Sequence, residues 1–396
     1  MLFITVFFTK TAFANDLYVR DFGSNGAYAT ISLAILAAAD GDRIIIRPKQ
    51  DAGAYNENLL INKSLTFVSE IDYEKFIIRG NISFVPQINR NINISNMDMK
   101  GNMDITTDCP NGGRTYIKFY NSTIQASTFP EYHILFSKKN VSVDMIGCQM
   151  SANVYISHGK IIGCSIGYIG LLLDAGDTPA TSDVLIIGNK IFNTLTLDTH
   201  YQFQVLNNVM TSPSQIGNGI LVYNIMPESN NHIDNNSIQN YNHSIFISSG
   251  GAQVQGKIYI QNNIIEGIPN NYYEVTNNSN TFKVYINYNI SRFNLEISGN
   301  SGTYTLGNIS NATTLVVDWT NFVFTGANIN AGYPVAEFQD TDLTRNDIGH
   351  RGGANNFDNY WPSNAANKPQ IFLLETPRRV PVNTTTINVS GAGFSK

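Results

Sequence analysis

A short pattern recurs through the middle of the chain and limits the folds available to it. Apolar residues stand five and three places before a small or polar residue, and another apolar residue stands two places after it. Successive copies are mostly 25 to 28 residues apart, with two shorter steps of 16 and 19 residues. A coil with three strands and three turns needs about this many residues per circuit, so the repeat predicts a solenoid of stacked parallel strands. The small or polar residues are Ser122, Cys148, Cys164, Asn189, Asn208, Asn236, Asn263 and Asn289, and the third, sixth and eighth of these match the pattern in part.

Alternation along each strand predicts which side chains form the core. The predicted core residues are Val184, Ile186, Ile191, Phe203, Val205, Ile258, Ile260 and Ile265. The small or polar residue marks a bend between two sheets, where asparagine tolerates left-handed backbone and can stack its amide on the next rung. Cys148 and Cys164 then lie on adjacent rungs, within the Cα separation that a disulfide allows. The 16-residue step between them is short for a full circuit.

A single helix near the N-terminus precedes this repeat. The run from Thr30 to Ala39 is rich in Ala and Leu, with Thr30 as the predicted N-cap and Gly41 as the stop. Short strand-like segments surround it, including Ile44–Ile46 and Leu59–Ile61. One helix followed by many short strands predicts a solenoid closed at one end by a cap.

The order GAYATISLAILAAADGDRIIIRP followed by YNENLLINKSLTF resembles the start of the pectin-lyase-like superfamily. The resemblance extends over about Leu17–Gly353. It implies an all-β fold, a right-handed parallel β-helix solenoid with a short N-terminal capping helix. It implies little about activity, because this fold hosts lyases, hydrolases, esterases, adhesins and proteins without known activity.

Composition and charge narrow the function classes. Charged residues make up only 14% of the chain and the net charge is −5, so the chain has no basic footprint for nucleic acid. Residues 1–14 predict a secretory signal peptide, because an apolar run precedes the cleavage-site pattern Ala12-Phe13-Ala14. Lys10 interrupts the apolar run, and a buried N-terminal strand is the alternative. No later run approaches the ~18 apolar residues of a membrane span. We expect a monomer that is secreted or on the cell surface, with residues 15–353 forming the β-helix and residues 354–396 packing on its last rungs.

Two groups of ionisable residues are candidates for chemistry. Asp198 and His200 alternate onto one face of a strand and are close enough to share a proton, although an exposed hydrogen-bonded pair is the commoner arrangement. Glu228, His232 and Asp234 lie near one loop and could hold a metal only if the loop folds back. Solvated loop polarity is the alternative for this second group.

The most distinctive local string runs from Asp340 to Gly349. It resembles a D-x-D-x-x-R-x-D-I-G closing motif found near the C-terminal end of many secreted bacterial β-helix proteins. The alternating carboxylates of Asp340, Asp342 and Asp347 are calcium candidates. However, Arg345 stands where an EF-type loop needs glycine, so a network between Arg345 and the aspartates that fastens the last turn is the favoured alternative. We expect no other cofactor.

The sequence leaves two function classes open. One is a non-catalytic scaffold or glycan-binding protein, with a polysaccharide or cell-surface glycan as its partner. The other is a polysaccharide lyase or glycoside hydrolase with a diverged active site. We expect no lyase of common type, because no family motif occurs and Lys190, Lys257, Lys283 and Arg292 are scattered through the repeats. A groove lined by Lys or Arg, Asp and aromatic residues along one sheet would favour the enzyme, and an outer surface of Asn, Ser and Thr would favour the scaffold.

Overall fold

The computed structural model describes residues 14–72, 74–125, 133–172, 183–199, 201–214, 217–248, 256–268, 273–361, 370–375, 386 and 390–394. Near its start, the α-helix α1 (Ile31–Ala37) covers the first rung and buries Ile31, Ala34 and Ile35. The Thr30 hydroxyl accepts a hydrogen bond from the backbone N–H of Leu33 (3.2 Å), so Thr30 is the N-cap as predicted. The helix ends two residues earlier than expected, because Ala38 takes an extended conformation with ψ of 152°.

The other elements are short. The strands are β1 (Asp16–Val19), β2 (Arg43–Ile46), β3 (Ala54–Asn56), β4 (Leu59–Ile61), β5 (Thr66–Ser69), β6 (Phe76–Arg79), β7 (Ile82–Phe84), β8 (Asn91–Ser95), β9 (Met97–Lys100), β10 (Met103–Ile105), β11 (Thr115–Tyr120), β12 (Thr123–Gln125), β13 (His133–Phe136), β14 (Val141–Ile146), β15 (Gln149–Ile156), β16 (His158–Ile162), β17 (Ser165–Leu171), β18 (Val184–Ile187), β19 (Lys190–Ile191), β20 (Leu195–Asp198), β21 (Phe203–Leu206), β22 (Val209–Thr211), β23 (Asn218–Asn224), β24 (Asn230–Asp234), β25 (Ser237–Gln239), β26 (His243–Ile247), β27 (Gly256–Gln261), β28 (Ile264–Glu266), β29 (Val275–Asn277), β30 (Phe282–Asn287), β31 (Ile297–Gly299), β32 (Thr303–Leu306), β33 (Val316–Asp318), β34 (Val323–Thr325), β35 (Gln370–Glu375) and β36 (Ser390–Phe394). Short 3₁₀ helices lie at Asp21–Gly26, Gln50–Ala52, Ala336–Phe338 and Phe357–Asn359.

Two large parallel sheets run the length of the coil. Among the described residues the first sheet has 13 strands, in the order β1, β2, β5, β8, β11, β14, β16, β18, β21, β24, β27, β30 and β32. The second sheet has 19 strands and consists of two ladders that join at β15 and β17. Each strand pairs with the equivalent strand of the next circuit, as a solenoid requires.

The join explains the 16-residue step of the repeat. β15 and β17 are long enough to pair in both ladders, with a register shift between Met150 and Asn153. The circuit that contains β15 therefore needs no separate turn between the two ladders. Cys148 and Cys164 lie on adjacent rungs as predicted, and the backbone N–H of Cys148 donates to Cys164 Sγ (3.3 Å). All three cysteines are free thiols and all are buried.

The predicted core is confirmed. All eight residues named from the repeat have no exposed surface: Val184, Ile186, Ile191, Phe203, Val205, Ile258, Ile260 and Ile265. The core continues along the whole coil, from Val19 at the N-terminal end to Leu295 at the other. The chain therefore folds as an all-β, right-handed parallel β-helix of about ten turns.

The asparagines of the repeat form a continuous ladder inside the coil. Asn236 accepts hydrogen bonds from Asn208 and donates to Asn263, with distances of 2.8 to 3.0 Å. The same pattern links Asn189 to Asn208, Asn263 to Asn289 and Asn289 to Asn308. Stacking of the amides is thus as predicted, but the left-handed backbone lies one residue earlier. Asn207, Asn235 and Asn262 have φ between 55° and 57°, because the bend turns before the ladder residue.

After β32 the chain turns back along the outside of the coil. At the antiparallel pair β33 and β34, Leu315 just before β33 and Phe324 of β34 pack against Ile264 and Ile290. Residues 332–361, which we call the strap, then run towards the N-terminal end across successive bends. The strap contacts Asn262 through Tyr333, Asn235 through Asn346, and Asn207 through His350 and Gly352. A polar loop held to polar bends in this way gives no periodic sequence signal.

The strap ends on the middle of the coil. Tyr360 packs on the outward-facing Ile146, Ile162, Leu185 and Ile187 of the first sheet. Tyr360 lies against Gly163 and Gly188, which have positive φ angles at the bends of their rungs. A Cβ atom at Gly188 would lie 2.1 Å from the Tyr360 ring and would clash with it. The indole N–H of Trp361 donates to the Gly188 carbonyl (2.8 Å). Residues 354–361 thus lie on the flank of these middle rungs, whereas we expected residues 354–396 at the last rungs. β35 and β36 pair with each other as an antiparallel hairpin.

Candidate functional site

A column of aromatic rings follows the outer face of the first sheet over its last four strands. His232, Tyr259, Tyr285 and Tyr304 occupy equivalent outward positions on β24, β27, β30 and β32. Successive ring centroids are 5.0, 5.1 and 5.0 Å apart, and the ring planes deviate by only 14 to 16°. The rings therefore stack along the coil, so their edges and hydroxyl groups face outward. We call these four residues the ring column.

Two lysines flank the ring column. Lys257 and Lys283 each precede a column tyrosine by two residues, are exposed and pair directly in the register of β27 and β30. Neither forms an ion pair with a described residue at or below 4.0 Å. Elsewhere on this face, Asp144 lies between Lys118 and Lys160 in the register and separates their charges. Like charges on directly opposed positions are unfavourable, so the Lys257–Lys283 pair is suited to hold an anion.

A cleft opens between the N-terminal end of the ring column and the strap. Its volume is about 360 Å³, and we call it the strap cleft. The first sheet contributes the floor and the strap contributes one wall. The lining residues are Gln204, Leu206, Asn207, His232, Asp234, Asn235, Glu337, Phe338, Gly353, Ala354 and Asn355.

His232 and Asp234 form a hydrogen-bonded pair in the strap cleft. They are two residues apart on β24 and face the same side, so His232 Nδ1 donates to Asp234 Oδ2 (2.9 Å). Burial lowers the pKa of His232, but the hydrogen bond to Asp234 and the charges of Asp234 and Asp183 outweigh it and raise the pKa above its ordinary value. Asp234 is only 5% exposed, and its Oδ1 has no hydrogen-bond partner among the described residues. The pair therefore presents an imidazole of raised basicity beside a buried acceptor.

The other predicted candidates lie apart from this pair. Glu228 is exposed at a turn and does not line the strap cleft, so the loop does not bring it to His232 and Asp234. Asp198 accepts a hydrogen bond from Asn224 Nδ2 (2.8 Å), and His200 lies outside the described residues. In the part of the chain that the structure describes, no three His, Cys, Asp or Glu residues are arranged to hold a metal ion.

The calcium candidates accept hydrogen bonds from nearby backbone. Asp340 accepts from the N–H groups of Asp347 (3.0 Å) and Gly353 (2.5 Å), and Asp347 accepts from the N–H of Asn330 (2.7 Å). Asp342 accepts a hydrogen bond from the backbone N–H of Thr344 (3.0 Å). Arg345 donates to the carbonyls of Gly332 and Ala331, whereas we expected it to pair with the aspartates. These bonds fold the strap onto itself and onto the two residues before it, which agrees with closure as the role of this string. Calcium binding by these aspartates stays a prediction.

His350 in the same segment is structural. It is 1% exposed, its Nδ1 lies 2.8 Å from Ser237 Oγ and its Nε2 lies 3.1 Å from the carbonyl oxygen of Phe322. Burial, with a contribution from the charge of Arg351, lowers the pKa of His350 to about 3. His350 therefore stays neutral down to about pH 3 and holds the strap to β25. His232, with its raised pKa, is better suited to acid–base chemistry.

The ring column and the lysine pair were not among the sites predicted from the sequence. The signal was present, because Lys257-Ile258-Tyr259-Ile260 and Lys283-Val284-Tyr285-Ile286 repeat the same alternation 26 residues apart. In a coil of this period the two strings must stack, which places lysine on lysine and tyrosine on tyrosine. Lys257 and Lys283 are therefore not scattered, as expected from the sequence, but stacked on adjacent rungs.

Comparisons with known proteins give one solved structure and no family. No family model matches the chain, and no curated protein matches it. A solved structure of a mutant of AlyGC, a PL6 family alginate lyase, aligns with 14% sequence identity and a TM-score of 0.37. The alignment covers 89% of this chain, and the chain spans 60% of the length of that structure.

No helix among the described residues has the length and apolar character that would let it cross a membrane. The fold rests on the register of the two parallel sheets, on the capping helix and on the asparagine ladder. These features identify the fold of the chain as a right-handed parallel β-helix.

Proposed function

We propose that this protein binds an anionic polysaccharide along the outer face of the first sheet. The observation that carries the proposal is the ring column with the directly opposed lysines Lys257 and Lys283 beside it. Lysine, aspartate and aromatic residues along one sheet are the feature expected of an enzyme rather than of a scaffold, so the same face also supports the second candidate function below.

The dimensions of the face suit an extended chain. Rungs are about 4.8 Å apart, so the ring column is roughly 14 Å long and can lie along several sugar units. Because the ring edges face outward, tyrosine hydroxyls offer hydrogen bonds to sugar hydroxyls at each rung. The lysine pair supplies a charge-assisted contact for a carboxylate or sulfate group.

Loss of both lysines is expected to weaken binding of anionic polysaccharide about tenfold, because each exposed charge contributes up to about 1 kcal/mol. Binding of wild type and of the Lys257→Ala, Lys283→Ala double variant would be measured by isothermal titration calorimetry. The probes are polymannuronate, polygalacturonate, chondroitin sulfate and neutral glucomannan. The difference between wild type and variant should shrink as salt is raised.

Matched variants test whether a loss of polysaccharide binding is specific to this face. Lys100→Ala removes an exposed lysine from the second sheet, and Tyr223→Ala removes a tyrosine from the second sheet that is 40% exposed. We expect both to bind as wild type does, whereas Tyr285→Ala should weaken binding. Equal loss in Lys100→Ala, or wild-type binding by the double lysine variant, would refute the proposed face.

A second candidate function is β-elimination of uronate polysaccharide, favoured by the stacking of His232 on Tyr259. His232 Nε2 would take the proton on C5 of a uronate, and the electron pair would form the C4–C5 double bond. The C4–O bond would break, and the Tyr259 hydroxyl would protonate the leaving oxygen. Burial and the neighbouring Tyr285 raise the pKa of Tyr259, so its hydroxyl keeps its proton for this step. Lys257, diagonal to His232, would mask the uronate charge.

This second function predicts a specific pH profile. The elimination rate should rise with pH through a value above 6.5, because His232 acts as a base only when neutral and Asp234 raises its pKa. In Asp234→Asn only the charge of Asp183 still opposes the effect of burial, so the pKa of His232 from NMR titration and the midpoint of the rate profile should fall together. The rate is followed by ultraviolet absorbance of the unsaturated product. Absence of product from all uronate probes, or activity that survives in His232→Ala, would exclude elimination at this site.

A further inference from the structure

We propose that the hydrogen-bonded pair of His232 and Asp234, at the N-terminal end of the ring column, makes the binding of anionic polysaccharide pH-dependent, with tighter binding at mildly acidic pH. The inference rests on the proposed glycan binding and names how that face is regulated. It concerns the charge beside the ligand and needs no contact between the ligand and Asp234.

The pair lies where its charge acts on the ligand. His232 is the first ring of the column, and its centroid is 5.0 Å from that of Tyr259. The His232 side chain is 33% exposed. Lys257 is one rung further along the coil and two residues before Tyr259, so its Cα lies roughly 8 Å from that of His232. A glycan that contacts Lys257 and the ring column therefore passes next to the imidazole ring.

The net charge of the pair changes by one when it takes up a proton. His232 Nδ1 lies 2.9 Å from Asp234 Oδ2, so the two groups titrate as a unit. When His232 is neutral, the pair has the negative charge of Asp234 alone, and this charge repels an anion. When His232 is protonated, the net charge is zero and the imidazolium is the more exposed part, because Asp234 is buried. An anionic ligand therefore favours the protonated pair.

The groups around His232 place this protonation in an accessible pH range. Burial lowers the pKa of His232, but the hydrogen bond to Asp234 and the charges of Asp234 and Asp183 outweigh it and raise the pKa above 6.5. Further polar groups border His232 from neighbouring elements: Gln204 on β21, Tyr259 and Lys257 on β27, and Glu337 in the strap. Tyr259 keeps its proton in this range, since burial and Tyr285 raise its pKa.

The first test compares affinities at two pH values. Chondroitin sulfate and polygalacturonate would each be titrated into the full chain by calorimetry at about pH 5.5 and about pH 8.5. The acidic groups of both probes are charged at both values, so a difference in affinity arises in the protein. We expect about fivefold tighter binding at the lower pH, equivalent to about 1 kcal/mol.

A pair of histidine variants locates the effect. In His232→Gln the amide can still donate to Asp234 but does not titrate, so the fivefold difference should vanish. His243→Gln is the matched control, because His243 is on β26 of the second sheet, with Nδ1 2.9 Å from the carbonyl oxygen of Tyr273. We expect the control to keep the wild-type difference. A difference that persists in His232→Gln, or that disappears equally in His243→Gln, would overturn the proposal.

A second measurement needs no variant. A ligand that prefers the protonated pair must raise the pKa of His232 in return, because coupling between two binding events is reciprocal. The His232 ring signals, assigned through their contacts to the Tyr259 ring, would be titrated by NMR with and without saturating polysaccharide. We expect the midpoint to rise by about 0.7, the logarithm of the fivefold change. A midpoint that is unchanged or lower would overturn the proposal.

The outcomes separate this inference from the proposed function. Clear binding of an anionic probe with equal affinity at both pH values would refute the pH dependence and leave the proposed function standing. No binding of either probe at either pH would refute the proposed function and the pH dependence together.

Discussion

Replacing Asn236 with alanine is expected to lower the free energy of unfolding by about 3–5 kcal/mol. Asn236 has no exposed surface, and its amide donates to the carbonyls of Val205 (2.9 Å) and Asp234 (3.1 Å) and to Asn263 (3.0 Å). Its Oδ1 accepts from the backbone and side-chain nitrogens of Asn208. Alanine would leave several of these buried groups without partners, and each such group costs about 1–3 kcal/mol.

The measurement is chemical denaturation followed by far-ultraviolet circular dichroism. Asn278→Ala is the matched control, because Asn278 is an exposed asparagine outside the ladder, and we expect a change within about 0.5 kcal/mol. A loss below 1 kcal/mol in Asn236→Ala would show that the ladder is not a main source of stability.

The interior of this fold could be predicted from the sequence because a solenoid repeats one local rule. Side chains along each strand point alternately to the core and to solvent, and each circuit has a similar length. The ladder residue recurs at the same place in the circuit. Residues such as Val205 and Ile260 can therefore be assigned to the core from their local sequence alone. The position of the left-handed residue was wrong by one, because Asn207 and Asn208 are both asparagine and composition alone does not distinguish their φ angles. The short step at Cys164 needed the structure, since only strand pairing shows that β15 spans both ladders.

The site was only partly predictable. His232 and Asp234 were named with Glu228 because the three lie near one loop, and only the structure shows that the first two are a hydrogen-bonded pair on β24. The lysine pair depends on stacking between rungs. The strap cleft depends on contacts more than 100 residues apart, such as that between Asn235 and Asn346. One signal for the strap was available: Ile162 and Ile187 stand at outward positions of the first sheet, and such apolar positions need a cover.

Replacing both Tyr360 and Trp361 with alanine is expected to release the strap while the coil stays folded. Tyr360 is 6% exposed on the outward isoleucines, and the Trp361 ring lies 4.1 Å from Lys190 Nζ, which also faces Phe322 and Phe357. Loss of the buried Tyr360 ring and the half-buried Trp361 ring costs several kcal/mol where they pack, since truncation of a fully buried ring costs about 3–5 kcal/mol. The coil keeps its own core and ladder, so the loss should appear as local opening of the strap.

Hydrogen exchange measured by mass spectrometry distinguishes local opening from global unfolding. Amides that the strap protects, such as those of Asp347 and Gly353 bonded to Asp340, should exchange at least about tenfold faster in the double variant. In the same variant, amides of β27 and β30 should exchange at the wild-type rate. In the control Tyr273→Ala, which removes an exposed ring, the strap amides should also exchange at the wild-type rate. Unchanged exchange in the strap, or loss of protection in strap and coil together, would show that the strap is not a separately opening unit held by these two rings.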